Sequence, residues 1–474
     1  MSDETSVFVV FRKKDGRFVG HTIAFERPTK DTLEHIAATG SSRTETPATP
    51  PPASSQFLSA IRSYVSIMET YRNMIPFTLE MSPLVSGVMA SSEIGDFVKE
   101  RGAEIIELST EAHSVFQVPT GYLSPLIQRH EAAIAAVKGA EHLPEIAVIG
   151  LVSVYDAYLG KLLKVIFSLH EEMVLTSDRE IKYSDLLMFD SIEQARSSLI
   201  DKEVETVLRN SHHDHFAWME NRFGIKLREG LTAWPDFIEV CERRNLFTHT
   251  GGIVSQQYLS VCKKHGYKSD KSVGDKLAAD PEYFKSSVKT ISEIGIKLGH
   301  VLWRKFQETE RGEADGALNE LGLSLIVERE YALAERILEL GIKFKKHSSD
   351  EVRRMMIINL ANAVRLQGNL ERAKKILDDE DWSATGPNFK ICVSATREDV
   401  SEVCRLMKSG SENGPIKAEQ YREWPVFRGM RTNEDFASAF LETFGEPVFR
   451  DKNAVSAGAS SLISPPESDD GTVH

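Results

Sequence analysis

Arg244, Asn245 and His249 are the residues whose types and spacing point most directly to chemistry; they lie in the stretch Glu239–Ile253, EVCERRNLFTHTGGI. A guanidinium presents a rigid fork of N–H donors that matches a phosphate or carboxylate. An imidazole with an ordinary near-neutral pKa can give or take a proton. Arg244 and His249 together can therefore neutralise an anion and move a proton beside it. At about 100° per residue, Asn245 and His249 share a helix face, whereas Arg244 and His249 stand about 140° apart. Flanking a groove between facing helices suits that separation best.

Phe237, Ile238, Cys241, Leu246 and Phe247 recur near helical spacing, so the stretch reads as the end of a packed amphipathic helix from Trp234 to His249. Gly251 and Gly252 supply its stop signal. The strongest helical run is Ile146–Leu169, IAVIGLVSVYDAYLGKLLKVIFSL, apolar on most sides and so central to a bundle. Within it Asp156 is either an ordinary buried acid paired to a neighbour or the group that orients Arg244 or His249.

The stretch around Arg244 resembles the signature of the HEPN domain, a family of helical bundles marked by Arg, four to six residues, then His, often with a polar residue directly after the Arg. Arg244, Asn245 and His249 match its four-residue version, and Ser153, Asp156 and Tyr158 fit the acidic helix pattern of several members. The resemblance spans roughly residues 140 to 305. It implies a metal-independent endoribonuclease, without cofactor, whose composite site forms at a homodimer interface. His249 and its copy in the second subunit would serve as base and acid, Arg244 would stabilise the scissile phosphate and Asn245 would hold the site in shape. Toxin and antiphage systems use such proteins. The other reading is a non-catalytic dimerisation scaffold in which Arg and His are merely paired inside a bundle. Nucleotide binding is a third, but no Gly-rich phosphate loop supports it.

His212, His213, Asp214 and His215 suggest a metal site, but only His212 and His215 have ligand spacing and no partner motif stands elsewhere. The run reads instead as a polar helix start capped by Ser211 or Asp214. Arg209, Asn210 and His215 also obey the loose Arg-to-His spacing. The Arg244 copy is preferred because the signature belongs at the end of a packed helix.

Composition bounds the remaining possibilities. At 474 residues the chain should hold several domains, with 41% hydrophobic and 27% charged residues. The net charge of -13 means that any RNA contact must be local. Cys241, Cys262, Cys392 and Cys404 show no CxxC pairing. With no apolar run long enough to span a membrane and no signal-like start, a cytoplasmic protein is expected.

The fold expected is all-α: a HEPN-like bundle, then tetratricopeptide-like repeats, with a small N-terminal β-hairpin. Residues 1–38 hold the hairpin, Val7–Phe11 and Phe18–Phe25 around Asp15 and Gly16. Residues 39–56 are a Pro/Ser/Thr-rich linker, and 57–139 a helical region of unknown role punctuated by Pro76, Pro83, Pro119 and Pro125, with a stripe running on through Ile105, Ile106 and Leu108. The bundle occupies 140–310 and includes helices Ile192–Leu208, Phe216–Phe223 and Pro281–Trp303. Residues 311–450 carry the repeats and a helical cap. Leu321, Gly322, Leu325, Tyr331, Ala334 and Leu338 set the pattern, and Leu360, Ala361, Val364, Gly368, Leu370, Ala373 and Leu377 repeat it a little beyond the ~34-residue unit. A third helical pair is expected over Phe389–Met407. Such a stack leaves a concave face for a protein partner, and 451–474 is expected to be a disordered tail.

Overall fold

The computed structural model describes residues 8–14, 17–24, 55–104, 116–170, 172–175, 186, 189–410 and 416–449. The linker residues 39–54, Ile105–Leu108 and the tail 451–474 lie outside them. The chain divides into two units, Met1–Ser55 and Gln56–His474. In the first, strands β1 (Phe8–Lys14) and β2 (Arg17–Ala24) pair antiparallel, Lys14 opposite Arg17, with a register shift between Arg12 and Lys13. Among its described residues the second unit is helical apart from a two-residue strand pair, β3 (Ala103–Glu104) and β4 (Phe116–Gln117), and an isolated bridge between Ile253 and Lys276.

A helix that is apolar on nearly every side needs neighbours on every side. In the second unit that helix is α4 (Leu143–Leu169), whose Leu151, Val152, Tyr155, Leu159, Leu162 and Ile166 are all buried. It follows α1 (Gln56–Asn73), α2 (Ile75–Arg101) and α3 (Leu123–Glu141). After it come α5 (Glu172–Leu175), α6 (Ile192–Leu208), α7 (His212–Phe223), α8 (Trp234–Thr250), α9 (Gln256–Lys264) and α10 (Pro281–Phe306). Helices α1, α6, α8 and α10 all pack on α4.

Two glycines decide how closely these helices approach. A Cβ at Gly295 would fall 2.4 Å from the Tyr64 ring, and one at Gly299 would fall 2.0 Å from the Tyr158 hydroxyl. The missing side chains let those two tyrosines, from α1 and α4, stack with ring centroids 4.1 Å apart on the surface of α10. The Tyr64 hydroxyl then donates to the Ile291 carbonyl at 2.7 Å.

The repeats continue the same core. Helices α11 (Arg311–Val327), α12 (Tyr331–Lys343), α13 (Asp350–Leu366), α14 (Leu370–Asp378), α15 (Pro387–Thr396) and α16 (Val400–Gly410) form three successive pairs. The first helices of neighbouring pairs pack on one another, as do the members of each pair. Gly322 sits where Leu338 needs room, its would-be Cβ 2.5 Å from the leucine side chain. A second apolar cluster gathers α15, α16, α17 (Ala418–Glu423) and α18 (Glu434–Phe444) around Tyr421, Phe427, Phe436 and Phe440. Buried charges join bundle to repeats: Arg304 pairs with the fully buried Asp315, and the fully buried Glu293 meets Lys297 at 2.6 Å and Arg336 at 2.8 Å.

Three expectations need revision. Within residues 57–139, α1 packs directly on α4 and α10 and so forms part of the bundle core. Pro83 does not end a helix: α2 runs through it, backed by α3, so the proline only interrupts the hydrogen-bond ladder. Although no uninterrupted apolar run was evident, Thr120–Leu169 is long and apolar enough by length and composition to cross a membrane, and half of its most apolar window is buried inside the protein.

Gly299→Ala is expected to lower stability by about 1–3 kcal/mol in chemical denaturation, because the added methyl must displace Tyr158 or Ile61. His300 is 1% exposed with both ring nitrogens unpartnered, and burial, aided by Arg304, pushes its pKa down to about 3. The unfolded chain then binds the extra proton, so stability is full above about pH 6.5 and falls as pH drops towards 3. His300→Leu should flatten that part of the pH–stability curve.

Candidate functional site

Helix α8 begins with Pro235 in its first turn, where a missing N–H costs nothing, and its buried face carries Phe237, Ile238, Cys241 and Leu246. It ends where Gly251 and Gly252 turn left-handed at φ +59° and +85°. Their amides both donate to the Leu246 carbonyl. Gly252 has no room for a side chain, since a Cβ there would sit 2.6 Å from the Leu277 carbonyl. The helix end is thereby pinned by the segment that follows, with Leu277 N–H donating to the Gly252 carbonyl at 2.8 Å. Deeper along α8, the buried Glu239 carboxylate accepts from Arg243 at 2.6 Å and from the hydroxyls of Tyr258 and Tyr283, each at 2.8 Å. That carboxylate is fully satisfied and ties α8, α9 and α10 together.

Arg244 and Asn245 are half-buried near this end, and His249 is exposed in the last turn. Asp156 projects from α4 towards them. Its Oδ2 accepts from Arg244 Nη2 at 3.0 Å, and its Oδ1 lies 2.8 Å from His212 Nε2. Burial pushes the Asp156 carboxyl up, but the hydrogen bond and charge of His212 and the charge of Arg244 outweigh it, so the net shift is downward. His212 occupies the first turn of α7 because Ser211 caps that helix, its hydroxyl accepting from the Asp214 amide. Tyr155 and Phe237 enclose the imidazole on its apolar side. One turn on, His215 is buried behind the pair, and burial, reinforced by His212, depresses its pKa to about 4.

These groups open on a cleft of about 460 Å³ lined by Asp156, Arg209, Asn210, Ser211, His212, Glu242, Arg244, Asn245 and His249, with Ser255, Gln257 and Tyr258 on the α9 side. All four residues singled out from the sequence, Asp156, Arg244, Asn245 and His249, lie on it. Asp156 touches Arg244 and not His249, and Asn245 Nδ2 reaches Glu242 Oε1 at a long 3.5 Å rather than the histidine. Burial raises the Glu242 pKa.

The two Arg–Asn motifs, rivals in the sequence, are brought by the fold to one cleft. Arg209 and Asn210 line it from the α6–α7 junction while Arg244 and Asn245 line it from α8. His212, treated as part of a capped helix start, is the second partner of Asp156. The helix cap was legible locally, but nothing within α7 announces a carboxylate that lies 56 positions earlier.

The Asp156–Arg244 ion pair is partly shielded, with side chains 27% and 21% exposed. A double-mutant cycle of Asp156→Asn and Arg244→Ala should return a coupling of about 1–2 kcal/mol in thermal or denaturant unfolding. A coupling near zero would mean that the pair contributes nothing to holding α4 against α8. Against known proteins, no protein-family model, curated protein or solved structure matches this chain.

Proposed function

We propose that this chain is a cytoplasmic endoribonuclease of the HEPN type, acting as a homodimer, with its repeat region docking a protein partner or regulating cleavage. The observation that carries the reading is that Arg244 and His249, the two residues of the signature, open on one solvent-accessible polar cleft together with a second arginine. In the reaction the ribose 2'-oxygen attacks phosphorus and its proton passes to a base. The phosphorus–5'-oxygen bond then breaks, and an acid protonates the leaving oxygen. His249 and its copy in the second subunit take those two parts. Arg244, held by Asp156, faces the charge that builds on the phosphate, and Arg209, on the same cleft, adds to it. The strongly acidic chain would hold RNA locally, through Arg209 and Arg244 of this cleft, rather than over a broad surface.

Two surfaces fit the remaining parts. On α2, Phe77, Leu84, Val88 and Met89 are exposed at helical spacing and offer an apolar face for association. In the repeats an apolar recess of about 160 Å³ is edged by Asn319, Asn359, Asn362 and Asn388 and suits a peptide segment.

One observation favours a non-catalytic scaffold instead: the Arg244 guanidinium already has a carboxylate partner in Asp156. Incubating RNA with purified protein in EDTA and mapping product ends separates the two. Wild type should leave 2',3'-cyclic ends, and Arg244→Ala and His249→Ala should each slow cleavage at least ~100-fold. Absence of cleavage on varied RNAs, even with cell extract supplied as a trigger, would favour the scaffold.

A further inference from the structure

We propose that Asp156, His212 and His215 form a binding site for a divalent transition-metal ion of the zinc class, set in the wall of the same cleft. The inference goes beyond the ribonuclease reading and does not depend on it. One carboxylate oxygen and one nitrogen from each imidazole all lie within 4.8 Å of one another. Around zinc, with bonds of about 2.0–2.1 Å, tetrahedral donors stand roughly 3.4 Å apart. Small side-chain rotations therefore suffice to close the set.

The backbone already presents the ligands. His212 and His215 are one turn apart on α7, a spacing that points two imidazoles from one helix face, and α4 brings the carboxylate from across the bundle. His212 Nε2 and Asp156 Oδ1 stand 2.8 Å apart and need only part slightly for an ion to come between them. Arg244 keeps the other carboxylate oxygen, Oδ2, and so orients the ligand from outside, as groups behind metal ligands commonly do.

The independent observation is His215. It is 1% exposed; the carbonyls of Leu208 and Asn210 approach the ring, but neither nitrogen makes a well-formed hydrogen bond. A buried imidazole with both nitrogens idle costs free energy unless something takes a lone pair. The backbone carbonyls of Leu208 and Asn210 bear on the same ring and can receive its remaining N–H once the other nitrogen binds a metal. Because Asp156 and His212 line the cleft and His215 lies behind them, the ion would keep an open coordination position on the cleft side.

The alternative histidine pair is His213 and His265, whose rings are 4.8 Å apart but which has no carboxylate bridging it to α4. It serves as the control. The test uses the full-length protein, stripped with chelator and titrated with Co²⁺ followed by visible absorption, and with Zn²⁺ by calorimetry. Wild type is expected to bind one equivalent per chain, with Co²⁺ giving the intense absorption of a low-coordinate N/O site that Zn²⁺ abolishes. His215→Gln and Asp156→Asn should each weaken binding at least ~tenfold, while His213→Gln and His265→Gln leave it unchanged. Far-ultraviolet circular dichroism checks each fold, and if His215→Gln does not fold, Asp156→Asn and the wild-type Co²⁺ spectrum decide. The proposal is overturned by an absence of saturable binding in wild type, by undiminished binding in folded Asp156→Asn, or by loss confined to the His213 and His265 variants. RNA cleavage in EDTA can succeed or fail independently of each of these results.

Discussion

A single carboxylate, Asp156, holds the functional face of the molecule together. It lies on the core helix α4 and meets a guanidinium from α8 and an imidazole from α7. A charge that is three-quarters shielded from water is tolerable only with such partners. The need to satisfy it fixes how the two outer helices dock on α4. The cleft is the gap left between those helices once both have turned a basic side chain towards the same acid.

Keeping that arrangement rigid requires the rest of the bundle to close without slack. Gly295 and Gly299 let α10 press against the stacked Tyr64 and Tyr158, and the Glu239 carboxylate clamps α8 to α9 and α10 through two tyrosine hydroxyls and Arg243. The pinned C-terminus of α8 extends the same logic to the backbone, since Gly252 admits the Leu277 carbonyl where any side chain would exclude it. The residues on the last turn of α8 therefore stand on a fixed base, although His249 itself is exposed.

Charge also links this region to the repeats. Asp315 and Glu293 are wholly buried, and each is neutralised across the junction, by Arg304 and by Arg336. Helix α10, which carries Glu293 and Arg304, packs on α4 and α8 and also on the first repeat pair. The cleft gathers mixed charge, Arg209 and Arg244 beside Asp156 and Glu242, within a chain of net charge -13.

Much of the secondary structure and part of the site could be read locally. Periodicity and end signals placed α6 at Ile192–Leu208, the core helix within two or three residues, the glycine-terminated α8 and the hairpin, because each of those features is encoded within a turn or two of chain. The same signals put Arg244, Asn245 and His249 at a helix end. What the tertiary structure alone decided is which acid meets which base. Asp156 finds His212 and Arg244 across 56 and 88 positions, and no local pattern specifies a pairing that depends on how three helices pack. The same holds for the merging of two rival Arg–Asn motifs into one cleft, for the inclusion of α1 in the bundle and for the passage of α2 through Pro83. Sequence by itself determined the helices and their ends, through interactions between near neighbours. Packing decided the site, because burying a charge compels partners from wherever the chain can bring them.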